Sequence, residues 1–218
     1  MINLMYVVLM AMLALNVSTE VLNGFSIVEE SLNRTTDNAL KENQVIYDDF
    51  EAQLKANPTK VKAWFDKAQQ VRALCDSLYN FAGELKLAIV READGSDADV
   101  KNIKNKEDLE AANQVMLAPG RGKGEALYQA INSFRTRILT MVTDSARREI
   151  ISSNLSTEIP KNAVAMGKNW QEYMFEDMPV AAAVTLLSKL QSDVRYAEGE
   201  VLHSLVANID MKDIRVNS

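Results

Sequence analysis

The sequence predicts an all-α protein: a single transmembrane helix continuous with an up-and-down helical bundle of four long helices. Three observations carry that expectation. Only 8 Gly and 4 Pro punctuate 218 residues, so turns are few and helices long. Apolar residues recur at alternating spacings of three and four over long stretches, and no strand-like alternation of any length occurs. Charged residues make up 25% of the chain, yet none lies between Met1 and Ser18. The expected division is a transmembrane helix over residues 1–23 and a helical-bundle domain over residues 24–218.

The run MINLMYVVLMAMLALNV carries only Asn3 and Asn16 as strongly polar side chains. At ~1.5 Å per residue it reaches ~25 Å, the short end of a bilayer-spanning helix. Asn3 and Asn16 fall near its ends, where headgroups and water satisfy their amides, and Tyr6 is placed as an interfacial aromatic. A signal peptide would show a basic n-region and a small-x-small cleavage site, and neither is clear here. A buried core helix would show a charged side within 18 residues. An apolar dimerisation helix remains the alternative, and with no basic flank before Met1 the charge pattern does not orient the span.

Ser18, Thr19 and Glu20 follow without a proline. Phe25, Leu32, Ala39 and Ile46 recur every seven residues, with Val28, Phe50 and Leu54 in the same stripe. The pattern predicts one amphipathic helix emerging from the membrane as a rigid stalk, with Gly24 its candidate hinge. Asn57-Pro58 then restarts a helix, an N-cap residue followed by proline at the first helical position. Val61, Trp64, Ala68, Val71, Cys75, Leu78, Ala82, Leu85 and Ile89 form a seam with a seven-residue period, which Phe65, Leu74 and Phe81 widen into the face of a bundle helix. Cys75 reads as a packed hydrophobe rather than a reactive thiol.

Between Arg91 and Gly124 the periodicity breaks into a polar loop with a short helix from about Lys106 to Met116. APGRGKGEAL lacks the Walker spacing and the Ser or Thr that follows it, so it reads as a basic glycine-rich turn rather than a phosphate cradle. A third long helix starts near Gly124 on Leu127, Ile131, Phe134, Ile138 and Met141, with Arg135, Arg137, Arg147 and Arg148 on a solvated face. Ile159-Pro160 interrupts it. Trp170, Tyr173, Met174, Phe175 and Met178 plug the end of the bundle, and Pro179 opens the last helix, whose apolar face runs from Val180 to Ile209. His203 falls off that stripe.

Lys+Arg 24 against Asp+Glu 30 gives a net charge of −6, so a generally basic nucleic-acid footprint is missing. One cysteine and one histidine build neither an internal disulfide nor a Cys/His zinc cage. No acid, base and nucleophile cluster in sequence, so no catalytic residue, metal site or cofactor is expected. The residues alone point to a membrane-tethered helical bundle.

Two blocks point further. MINLMY at 1–6, AMLALNVS at 11–18 and EVL at 20–22, together with MPVAAAVTLLSKLQSDVRYAE at 178–198 preceded by Trp170 and Phe175, resemble the gliding-motility protein family GldM, called PorM in some relatives. The resemblance covers both ends of the chain and, more loosely, its helical middle. It implies a non-catalytic, single-pass inner-membrane protein of the type IX secretion and gliding machinery, with its C-terminal part in the periplasm. Such a protein forms a homodimer whose transmembrane helices insert into a ring of a GldL-like partner. Proton flow drives that motor, and the periplasmic part carries motion toward outer-membrane-associated ring proteins. It also implies a short basic segment just before MINLMY and β-rich domains after the helical one, neither of which lies in these 218 residues.

On that reading Asn3, Tyr6, Asn16 and Glu20 are the candidate intramembrane partner-binding residues and Gly24 the hinge. A polar group at bilayer depth is costly unless it faces protein or water. Tyr6 then hydrogen-bonds inside the ring, against interfacial anchoring as the plainer role. Asn16 and Glu20, four apart, share a face at the periplasmic exit. The rival expectation is a membrane-anchored periplasmic sensory bundle, which would need a second span returning the chain to the cytoplasm; none follows Gly24.

Overall fold

The computed structural model of the chain describes residues 4–5 and 17–216, with side chains to residue 210. Among the described residues every regular element is helical: α1 (Thr19–Ala56), α2 (Pro58–Asp94), a π-helical turn (Asn113–Leu117), α3 (Gly124–Leu139), α4 (Ser145–Asn154), α5 (Lys161–Ala165), α6 (Trp170–Phe175) and α7 (Val180–Val216). The all-α expectation holds.

Three helices are long, at 38, 37 and 37 residues, rather than four. The third begins at Gly124 as predicted but stops after 16 residues. Three of the four residues from Thr140 to Thr143 are β-branched and favour helix weakly. Asp144 then takes extended backbone and accepts the Arg147 N–H at 2.9 Å, starting α4 afresh. Arg148 reaches back to the carbonyls of Leu139 and Val142 and so caps the end of α3. Arg135 likewise donates to the Leu155 carbonyl at 2.8 Å. Two of the four arginines assigned to a solvated face therefore hold helix ends and turns. The short helix predicted from about Lys106 shrinks to Ala111, Ala112 and the π-helical turn.

The predicted continuity between membrane span and stalk is interrupted. Val17 and Ser18 are not helical, and Ser18 Oγ accepts the Val21 N–H at 3.2 Å as an N-cap. No helix among the described residues is long and apolar enough to cross a membrane. The predicted span falls mostly on residues outside those described. At Asn57 the expected cap is present, with Asn57 Oδ1 accepting the Lys60 N–H at 3.3 Å.

The chain divides into two compact units, one of residues up to 32, 82–128 and 157–189, the other of 33–81, 129–156 and 190 onward. Each long helix gives a stretch to both. In the first unit Thr185 donates to the Phe25 carbonyl and Ser188 to Glu29, so α7 runs parallel to α1. In the second, Gln191 meets Tyr79 and Arg195 meets Asp76, so α7 runs antiparallel to α2. An up-and-down order of four long helices would have turned the last against the first. Because the third helix breaks, and residues 157–179 belong to the unit in which α7 begins, the last runs with it instead.

The apolar seams of α2 and α7 are buried as predicted, from Val61 to Ile89 with Trp64 half-buried, and from Val180 to Ile209. Each large aliphatic side chain so placed contributes about 1.5–3 kcal/mol. On α1 the expectation shifts. Phe25, Leu32, Ala39 and Ile46 are only half-buried and Val28 is exposed. The deeply buried positions are Leu22, Thr36, Asn43, Tyr47 and Phe50. Apolarity alone misplaces the face because its central residues are polar and are buried with partners.

Candidate functional site

Of the residues singled out in the sequence, Asn3, Tyr6 and Asn16 lie outside the described residues. Glu20 is exposed in the first turn of α1, where a carboxylate favours the positive end of the helix dipole. Gly24 lies one turn on, inside unbroken helix, and a Cβ there would meet open space. Glu20 and Gly24 share one face of α1.

What the structure assembles lies elsewhere. In the second unit α7 places Glu198 (1% exposed) and Arg195 (4%) against α1 and α2. Glu198 Oε1 accepts Asn43 Nδ2 at 3.0 Å and Arg195 Nη1 at 3.0 Å, while Oε2 accepts the Tyr47 hydroxyl at 2.8 Å. Arg195 Nη1 also bonds Asp76 Oδ1 at 2.8 Å, and its guanidinium lies 4.1 Å from the Tyr79 ring centroid. Asn43 Nδ2 further donates to the Arg195 carbonyl at 3.2 Å. Gln191 Nε2 donates to the Tyr79 carbonyl at 3.1 Å.

Burial pushes the Tyr47 phenol far above its ordinary range, and the neighbouring Glu198 charge adds to it, so Tyr47 stays a proton donor. Burial alone would lower the Arg195 pKa; the Asp76 hydrogen bond and the Glu198 charge outweigh it and raise it. Burial likewise pushes up the Cys75 thiol, which is 0% exposed. These groups hydrogen-bond one another across α1, α2 and α7, while Arg195 Nε is buried without a partner. The arrangement fixes helices.

The first unit has a smaller counterpart. Glu29 Oε1 accepts Ser188 Oγ at 2.7 Å and pairs with Lys86 Nζ at 3.5 Å. This unit also holds an open crevice of 520 Å³ between the turn at 116–122 and the segment from Asn169 to Asp177. Gly122 is needed in that wall, since a Cβ would sit 2.6 Å from the Met116 carbonyl oxygen. Glu125, Glu172, Glu176 and Asp177 line the crevice, and like charge there opposes a phosphate. The APGRGKGEAL segment is the turn that its spacing predicts. Trp170 and Phe175 are buried and pack edge-on at 6.0 Å, with Tyr128 against Trp170 at 5.9 Å, while Tyr173 stays exposed. His203 is exposed. Among the described residues no group of His, Cys, Asp and Glu side chains is placed to hold a metal ion.

Asn43, Tyr47, Asp76, Arg195 and Glu198 escape a reading based on apolar periodicity. Their signal is a polar residue standing in a buried row: Val184, Gln191, Glu198 and Leu205 are spaced by seven, as are Leu22, Glu29, Thr36, Asn43 and Phe50.

A comparison with curated proteins gives no match. A family model, that of the GldM N-terminal domain, matches residues 20–208, which takes in nearly all of α1 and α2, the intervening loops, and most of α7. The chain therefore belongs to the GldM family, membrane-associated components of the gliding and type IX secretion machinery.

Proposed function

We propose that this chain is the membrane-proximal part of a non-catalytic subunit of a proton-driven inner-membrane motor. In this reading residues 1–23 span the inner membrane once and residues 24–218 form a helical domain in the periplasm. Two copies insert their transmembrane helices into a GldL-like ring, and the helical domain carries motion outward to later domains and outer-membrane-associated ring proteins.

The family match over residues 20–208 is the observation that supports this reading. The long helices are compatible with it, because a packed helix transmits tilt or rotation where a Gly/Ser linker would absorb it. Asn3, Tyr6, Asn16 and Glu20 are the proposed intramembrane contacts, and Gly24 the hinge between span and domain.

The test is co-expression with the GldL-like partner, purification in detergent and native mass measurement. Two copies of this chain within a larger ring are expected. A chain that purifies alone as a ligand-stabilised dimer returns the sensory-bundle alternative. In the same preparation Glu20→Ala is expected to weaken complex assembly, and in cells Tyr6→Phe is expected to reduce motor-dependent secretion. Parental assembly and secretion would remove those residues from the interface.

A further inference from the structure

We propose that the Asn43–Tyr47–Arg195–Glu198 cluster is a register lock: it selects one axial position of α7 against α1 and α2 where the aliphatic row from Val180 to Val201 alone would accept several. The degeneracy is visible in the spacing. Val180, Leu187, Val194 and Val201 on α7 are seven apart, aliphatic and buried. Sliding α7 by seven residues, about 10 Å, exchanges one aliphatic side chain of this row for another of similar size, so this row does not discriminate between such positions. The neighbouring buried row Ala183, Leu190 and Ala197 changes size on such a slip and adds a steric preference.

The polar cluster does. One slip brings Gln191 to the place of Glu198 and Ser188 to that of Arg195, leaving Asp76 and the Tyr79 ring without their guanidinium. The opposite slip brings Leu205 and Leu202, and the Asn43 amide and Tyr47 hydroxyl then face hydrocarbon. A buried polar group left unpaired costs about 1–3 kcal/mol each. Shape agrees with chemistry. Asn43 seats against Gly199, where a Cβ would approach its Oδ1 to 3.0 Å. The slipped positions offer Ser192 or Val206 instead. Only the observed register supplies a carboxylate, a guanidinium and a bare backbone together. The lock concerns helix geometry and holds whether or not the chain enters a membrane ring.

Buried ionic clusters often add little stability over apolar replacements of like volume, and fixing register is their best-attested use. Stability and register are therefore separable by measurement. Nitroxide labels on Val45→Cys and Ala207→Cys, both at exposed positions, report the α1–α7 distance by electron–electron double resonance. The sample is the full chain in detergent, diluted with unlabelled protein; Cys75 is buried and escapes labelling.

The parent is expected to give one narrow distance. The fourfold variant Asn43→Leu, Tyr47→Phe, Arg195→Met, Glu198→Leu is expected to keep its helicity, melt at the parental temperature or above, and show additional distances from an axial displacement of about 10 Å. A second fourfold variant, Asn43→Ala, Tyr47→Phe, Arg195→Leu, Glu198→Met, removes the same four groups with a different fill and carries the test if the first does not fold; it too is expected to split. A single parental distance in whichever variant folds overturns the lock, whatever its melting temperature.

Discussion

At the scale of single residues, burial decides chemistry here more than residue type does. Cys75 is the only thiol, and its fully buried place on the α2 seam pushes its pKa up, so little thiolate forms near neutral pH. It should resist iodoacetamide in the native protein and react once urea unfolds it, as mass spectrometry would show; native-state alkylation would contradict the burial. Asp94 shows the opposite case. Its slight burial raises the pKa, but the backbone N–H groups of Lys104 and Asn105, at 2.8 and 2.9 Å, outweigh this and hold it below its ordinary 3.8. A carboxyl whose pKa is lower folded than unfolded stabilises above its ordinary value, and loses that contribution as pH falls through the folded pKa. Asp94→Asn should therefore lower urea resistance modestly near neutral pH, and the gap to the parent should close as pH falls below the carboxyl's ordinary value and through its lowered folded one. A gap independent of pH would assign the effect to shape rather than charge. Only one of these environments was legible in the sequence. Cys75 stands in an apolar heptad, whereas nothing local to Asp94 announces that a loop ten residues on will wrap it.

At the scale of elements, caps explain where the helices start. Asn57, Asp144 and Asn169 each accept a backbone N–H three residues on, and Glu172 completes a capping box with Asn169. The first unit closes the α7 N-terminus differently: the N–H groups of Val180 and Ala181 donate to the carbonyls of Asp108 and Lys106. Asp144→Ala should cost about 0.5–2 kcal/mol by removing the α4 cap. If the break at 140–143 depends on this cap and on Arg148, the double variant Asp144→Ala, Arg148→Met should gain helix across it, read by circular dichroism and amide exchange. Unchanged protection at 140–143 would leave the β-branched run as sufficient cause. Asn57-Pro58 was readable because its signal is local. The α3–α4 break was missed because Arg148 acts on carbonyls six and nine residues away.

At the scale of the molecule, the long helices connect the proposed membrane span to everything beyond it. Gly24 lies in the second turn of α1 with open space around it, so Gly24→Ala is sterically free and should raise helix stability by about 0.5–1 kcal/mol. If Gly24 is a working hinge, gliding or secretion should fall while expression and complex mass stay parental. Parental motility with parental expression would show that the bend, where there is one, lies elsewhere, with the non-helical Val17–Ser18 the next place to look.

The sequence by itself determined the helical class, the apolar faces of α2 and α7, the restart at Asn57-Pro58 and the family, because each rests on local spacing or on contiguous blocks of residues. Only the tertiary structure decided which face of α1 is buried, that α7 runs parallel to α1, and that the third helix breaks. Those outcomes depend on pairs such as Asn43 with Glu198 and Ser188 with Glu29, separated by 155 and 159 residues. A polar side chain reads as exposed until its partner is known, and the seven-residue row marks such a position without naming a partner so distant.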